Sequence, residues 1–496
     1  MQVFKAGKAR LRQWVGQHAL ALAAGGSSFA QSAAGVWSYY RLGMYQTVVN
    51  QPAFPDNVNA QFARAASLTA LGEAQQAEAV ARSLLKSGQL GARVPAFIQA
   101  IAAFSPPLAE QLCHEAVLPA SSFLPVGLAM RLGDYPLAKQ RLQAYQQAAR
   151  TPNPEALLVE SNLTATTALQ QCDFINQFLA RHGLSAVRPI DEHAPLGVMN
   201  LAALDKPAHA DDESAPASQG PLVSVLMTTY CSGERAVRAI DSLLAQQHRH
   251  LEIIVVDDAS PDNTFEQLLE CAKQDARVRC YQLPKNAGTY VAKTYGYQQA
   301  HGEFITCHDS DDWSHPEKIS RQLAPMLKHP SIMATTSQWV RLSDEGKFFV
   351  RQAAPFTRLN PSSPLFRRAV IERMGSWDLV RTGADSEFLA RMKLYFGKSA
   401  VKRLIEPLAF GAHRDDSLMT AKDTGHQENA VSPARLAYWE SWSEWHLQQL
   451  RNGEPLCLAP ISGQRAFPAP DAIAVPEADI NTMLGEARSG ARQPLT

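Results

Sequence analysis

From residue 223 to residue 313, short apolar runs rich in β-branched residues alternate with amphipathic ones, and every apolar run ends in polar residues. Residues 223–227 lead into Thr228-Thr229-Tyr230, and 251–256 end in Asp257-Asp258-Ala259-Ser260. Residues 278–283 stop at Asn286-Ala287-Gly288, and 304–307 run into Asp309-Ser310-Asp311-Asp312. Strand-length runs separated by helical ones predict a doubly wound, largely parallel sheet. Ligands bind to such a sheet in the crevice at the carboxyl ends of its strands, which is where each of these polar motifs falls.

The last motif is the most demanding. In an extended segment Asp309 and Asp311 alternate with Ser310, so both carboxylates can converge on one point. Unpaired carboxylates this close repel each other, and a divalent cation relieves the repulsion. Hard oxygen ligands suit Mg2+ or Mn2+, which complete their shells with substrate phosphates. The competing reading is a solvated acidic turn in front of a helix starting near Ser314.

Upstream, residues 1 to about 185 are rich in Ala, Leu and Gln with helical periodicity. Leu42-Gly43, Leu71-Gly72 and Leu132-Gly133 sit in one shared pattern, with a degenerate copy at 103–109. The repeat of about 30 residues resembles tetratricopeptide-type helical hairpins. Two readings stand: a surface that docks a protein partner, or a helical domain that packs on its neighbour. Residues 205–220 turn to Asp, Ser, Ala, Pro and Gly and read as a flexible linker.

Composition narrows the function. Lys plus Arg equals Asp plus Glu at 47 each, so no bulk field favours nucleic acid. The seven cysteines lack metal-ligand spacing, which fits reduced thiols in a cytoplasmic protein. The basic, apolar start superficially looks like a secretion signal, but its apolar core is short. The expectation is a cytoplasmic protein, with peripheral contact at the inner face of a membrane as a second reading.

The ordered series from Val223 through Asp258, Asn286-x-Gly288, Gly302-Glu303 and Asp309-x-Asp311-Asp312 resembles the family-2 glycosyltransferases of GT-A fold. So does the downstream block from Phe366 through Trp377-Asp378 to Gly383-Ala384-Asp385. The resemblance implies an α/β GT-A doubly wound mixed sheet, preceded by the all-α helical repeat. It also implies an inverting transfer of a sugar from a nucleoside-diphosphate donor, UDP-linked, to a glycan or lipid-linked acceptor in bacterial surface polysaccharide synthesis. Thr228, Tyr230, Asp258, Asn286, Gly288, Lys293 and Asp309 then line the donor site; Asp309, Asp311 and His413 hold Mn2+ or Mg2+; and Asp385 is the catalytic base. Tyr230 offers a stacking face for the base and Asp258 a hydrogen-bond acceptor. Ala384 departs from the family's Glu, Lys293 stands where the family often has Arg, and Glu387 is the reserve base.

The expected division is a helical domain over 1–200, a linker over 201–220, a glycosyltransferase domain over 221–425, and a C-terminal aromatic helix with an extended tail over 426–496. The polar linker suggests that the helical and catalytic parts are separable. The aromatic stripe at Tyr438, Trp439, Trp442 and Trp445 reads as core packing rather than a sugar platform. The rival to an enzyme is a scaffold with a docking repeat and an inactive transferase domain.

Overall fold

The computed structural model describes residues 2–204, 220–414, 425, 430–458 and 465–488. Most of the expected linker, 205–219, lies outside them.

The N-terminal part is helical from Gln2–Trp14 to Ala168–Arg181, then closes in a two-stranded antiparallel ribbon of Val187–Pro189 and Leu201–Ala203. The Leu-Gly motifs are its turns. Gly43, Gly72 and Gly133 have φ of 77°, 80° and 74°, a left-handed conformation that lets one helix stop and its partner fold back. Between them, small side chains such as Ala63, Ala66, Ala77 and Ala81 are buried and let neighbouring helices approach closely.

The part after residue 220 is built on a ten-stranded mixed sheet. Its main path runs Val278–Gln282, Leu251–Asp257, Val223–Thr229, Phe304–Asp309, Leu365–Arg367, Ala334–Ser343, Val401–His413 and Trp313–Ser314. The first four are parallel; Leu365–Arg367 then runs antiparallel to both its neighbours. Strand order reverses beside Val223–Thr229, so the switch-point crevice opens where Thr228 stands opposite Asp309. All seven residues of Val223–Thr229 are buried, as befits a central strand covered on both faces.

Separability does not follow from the polar linker, because the two parts share one apolar cluster. Phe123, Val159 and Phe178 of the helical part pack in it with Val340, Phe348, Phe356 and Phe410 of the sheet part. The helices also grip the segment between the 334–343 strand and the crevice. Asn162 donates to the Phe348 carbonyl and accepts from its amide, both at 2.8 Å, as a neighbouring strand would. Buried Glu155 accepts the amides of Phe356 and Thr357 at 2.8 Å each, together with the Thr357 hydroxyl. A Cβ on Gly127 would sit 1.8 Å from the Ala353 carbonyl oxygen. The face of the repeat is therefore used within the chain.

The aromatic helix, Pro433–Asn452, buries Tyr438, Trp442 and Trp445 in the main core cluster, as core packing requires. It also ties the two parts together: Trp439 donates to the Leu42 carbonyl at 2.6 Å, and Glu440 accepts the Gln46 amide at 2.6 Å. The expected extended tail needs correction. Residues Glu477–Arg488 form a further helix that buries Ile480, Met483 and Leu484 in the same cluster. Their apolar spacing at i, i+3 and i+4 was masked by the Pro-rich stretch preceding it.

A fragment starting at Ala217 is expected to expose Val340, Phe348, Phe356 and Phe410 and to lose its cooperative thermal transition; calorimetry showing a sharp transition in that fragment refutes the shared core. Gly127→Val in the full chain should lower the melting temperature by several degrees, since the overpacked contact is with backbone and cannot swing away.

Candidate active site

Every sequence-predicted donor residue except Lys293 lies on a loop or strand end at the crevice. Thr228 is buried, and its hydroxyl lies 2.6 Å from that of Thr289 in the first turn of the Thr289–Gln298 helix. Tyr230, just past the strand, is 50% exposed, so its ring is available to stack on a ligand. Asp258 has a more structural position than expected. Its two oxygens accept the amides of Ala287 and Gly288 at 2.7 and 2.8 Å, stapling the turn before the Thr289–Gln298 helix. Burial raises its pKa to about 6, against the pull of those two amides and Arg381. Asn286 belongs to the same staple, donating to the Asp258 carbonyl at 3.3 Å and accepting from Arg381 at 2.9 Å. Gly288 has φ 89°, and a Cβ there would meet the Arg381 Cα at 3.0 Å, so this turn admits no side chain.

Lys293 is the surprise of the site. It is 1% exposed and points its ammonium between two carboxylates, 3.3 Å from Asp385 and 3.9 Å from Asp309. Burial alone would favour the neutral amine, but Asp385 and Asp309 outweigh it and hold the lysine protonated. Asp385 also accepts the Tyr290 hydroxyl at 2.9 Å, while its amide donates to the same oxygen at 3.1 Å. Burial raises the Asp385 pKa and Lys293 opposes the shift. Gly383, not Asp385, occupies the cap position of the Ala384–Tyr395 helix, so the carboxylate is not used as a helix cap.

Glu387 is removed as the reserve base. It is 0% exposed and faces away, bound to Arg391 at 2.8 Å and His446 at 3.0 Å. Burial would raise its pKa, but Arg391 and His446 prevail and hold it below the ordinary carboxylate range.

The acidic motif is brought together only in part. Asp309 accepts the Ser362 hydroxyl at 2.7 Å, and Asp311 accepts from Arg414 at 3.1 Å. Burial and then the Asp309 charge raise the Asp311 pKa, with Arg414 opposing. Asp312 turns inward to accept the Ala412 amide at 3.1 Å. His413 lies flat on the Phe349 ring, centroids 3.8 Å apart. Among the described residues, no three Asp, Glu, His or Cys side chains are grouped so as to hold an ion, so the Asp309, Asp311 and His413 trio is not assembled. His308 and Trp313 are each 4% exposed and serve as packing.

Sequence reasoning missed Tyr290, Ser362, Arg381 and Arg414. Tyr290 was within reach of inference, since it follows Gly288 in the helix turn nearest the crevice. The other three come from distant segments that only the fold brings near.

The switch-point crevice thus gathers the paired acids, a buried carboxylate–lysine pair and the end of the mixed sheet into one polar site. Residues 224–383 match the family model Glycosyl transferase family 2. Relatives include an uncharacterized glycosyltransferase of Haemophilus influenzae, 34% identical over 23% of this chain and 45% of its own length. The putative teichuronic acid biosynthesis glycosyltransferase TuaG of Bacillus subtilis is 32% identical over 25% of this chain and 49% of its own. The succinoglycan biosynthesis protein ExoO of Rhizobium meliloti is 39% identical over 21% and 29% respectively. The chain thus spans less than half the length of these relatives. Among solved structures, S. aureus TarS 1-349 in complex with UDP-GlcNAc aligns at 18% identity with a TM-score of 0.36, covering 54% of this chain and 71% of that one. Among the described residues no helix is long and apolar enough to cross a membrane.

Glu387→Ala is expected to lower stability by about 3–5 kcal/mol, because it strands the Arg391 charge in the core. The wild-type ion pair has a sign that can be tested. A carboxylate with a lowered folded pKa stabilises above its unfolded pKa, and that contribution fades as pH falls through the folded value. Melting curves of Glu387→Gln should therefore respond less to acidification below about pH 4 than wild type; equal responses overturn the assignment.

Proposed function

We propose that this chain transfers a sugar from a nucleoside-diphosphate donor, UDP-linked, to a glycan or lipid-linked acceptor in surface polysaccharide synthesis, with inversion at the anomeric carbon. The observation that carries this reading is the Tyr290–Asp385–Lys293–Asp309 network. It sets one nearly buried carboxylate in a fixed orientation, beside the strand end where a donor's diphosphate would lie.

Asp385 is the general base: it takes the proton from the attacking acceptor hydroxyl while that oxygen bonds to the anomeric carbon and the diphosphate departs. Tyr290 fixes the carboxylate's direction. Lys293 keeps it ionised against its desolvated surroundings. Tyr230 stacks on the donor's base, and Thr228 and the Asn286–Gly288 turn shape the floor beneath it. Asp258 acts by stapling that turn rather than by touching the donor.

Asp309 and Asp311 fit a divalent cation by their chemistry: two hard carboxylates two residues apart at a strand end, with the Asp309 side chain 36% exposed. They would hold Mn2+ or Mg2+, with the donor's phosphates completing the shell. When bound, the ion supplies positive charge to the leaving diphosphate. His413, stacked on Phe349, has a role at the wall of the site rather than in that shell.

Asp385→Asn keeps the shape but cannot take a proton. Its donor affinity should stay near wild type while turnover falls by about 100- to 10,000-fold. Retained turnover removes Asp385 from the base role. Asp311→Asn should abolish the Mn2+ dependence of donor binding in calorimetry; unchanged affinity refutes the metal assignment. The pH profile supplies a third check. Activity needs ionised Asp385, whose pKa is raised, so the acid limb of kcat/KM should lie above the ordinary carboxylate range. Lys293→Met removes the charge opposing that shift and should move the limb to higher pH. An unmoved limb means that the titrating group is not Asp385.

A further inference from the structure

The two halves of the crevice differ in charge. The parallel strands bring the acids and Tyr230; the second half of the sheet and the helical domain bring arginines, three of them laid against aromatic rings. The Arg341 guanidinium carbon lies 5.0 Å from the centre of the Trp339 ring, and Arg358 stands opposite Trp339 on the paired strand. Phe349, opposite Arg341 in register, carries His413 on one side and has Arg131 of the helical domain 5.4 Å from its centroid. Arg351 lies 5.0 Å over Phe104, donating to the carbonyls of Ala103 at 3.2 Å and Ala430 at 3.3 Å.

Arg131 and Arg358 both act on Arg351. Burial, and then the like charges of Arg131 and Arg358, push the Arg351 pKa down to about 10. Arg358 is lowered as well, by burial, with Tyr45 opposing. Among the described residues, neither Arg131 nor Arg358 forms an ion pair with a carboxylate, and the Arg131 and Arg341 Nε groups are buried without a hydrogen-bond partner. The cluster adjoins the proposed base: Arg435, another neighbour of Arg351, interacts electrostatically with Tyr290, which holds Asp385.

A guanidinium braced on a ring keeps its N–H fork free for a planar or tetrahedral oxyanion, and a partly buried one without an anion is destabilising. We propose that the acceptor bears oxyanions, phosphate or carboxylate, which seat on Arg131 and Arg358 at the junction of the helical domain and the sheet. This rests on the glycosyltransferase reading above. It gives the helical domain a direct share in acceptor choice, since Arg131 belongs to that domain. The rival account is internal. Residues 415–424 and 426–429, outside the described residues, include Asp415, Asp416, Asp423 and Glu428, whose charges are an alternative answer to the arginines.

The test uses the full chain saturated with UDP and Mn2+, so that the donor's phosphate site is filled. Calorimetry then compares three probes of similar length: a glycerol phosphate oligomer, an oligogalacturonate and a neutral malto-oligosaccharide. At least one anionic probe should bind about tenfold or more tightly than the neutral one, and the stronger of the two identifies phosphate or carboxylate as the group. Arg131→Gln and Arg358→Gln should each weaken that binding about tenfold. Arg131→Lys and Arg358→Lys, which keep charge but lose the fork, should fall between and serve if the Gln variants do not fold. Neutral and anionic probes binding alike, or anion affinity unchanged in the variants while their melting temperatures drop, overturns the proposal in favour of internal pairing. The initial UDP titration is read separately. Failure there sinks the transferase reading itself, whereas UDP binding without any preference for anions sinks only this inference.

Discussion

A buried positive charge held between two carboxylates is the constraint on which the rest of the site depends. An unpaired ammonium in the core is strongly unfavourable, so Lys293 is stable only where Asp385 and Asp309 reach it. Asp309 ends a parallel strand, Lys293 lies in the helix that precedes that strand, and Asp385 begins a helix some 90 residues later in the chain. One ion pair thus fixes the mutual position of three elements that local sequence cannot align. Tyr290, one turn before Lys293, adds the directional bond that a point charge lacks.

The same region illustrates two uses of identical chemistry. Asp385 and Glu387 are two residues apart, and both are nearly or fully buried beside a cation. Glu387 meets a guanidinium and an imidazole that satisfy it completely, deep in the core. Asp385 keeps 17% of its side chain exposed at the crevice, so its charge can still act on an incoming hydroxyl. Spacing on the helix decides which is which, because residues i and i+2 face different ways.

Much of this was legible in the chain. The alternating runs gave the parallel half of the sheet, because a buried strand needs continuous apolar side chains and a crevice needs polar strand ends. The Leu-Gly recurrence gave the helical hairpins, since each tight turn needs a left-handed residue. Opaque to sequence were features carried by long-range packing. Nothing near Lys293 announces that its amine is buried, and nothing near Ser362 or Arg414 points to the acids they bind. The partners of Asp258 were hidden for a related reason: they are backbone amides, which every residue possesses and no pattern marks.

The contact between Gly127 and the Ala353 carbonyl carries a consequence for how such a chain can diversify. Helical repeats and transferase domains are often regarded as modules that recombination can shuffle. Here a single missing methyl group, the Asn162 amide posing as a strand and the Glu155 carboxylate binding two successive amides make each half a mould of the other. The grafting of a foreign repeat onto this sheet would bring a side chain into backbone and leave those amides without acceptors.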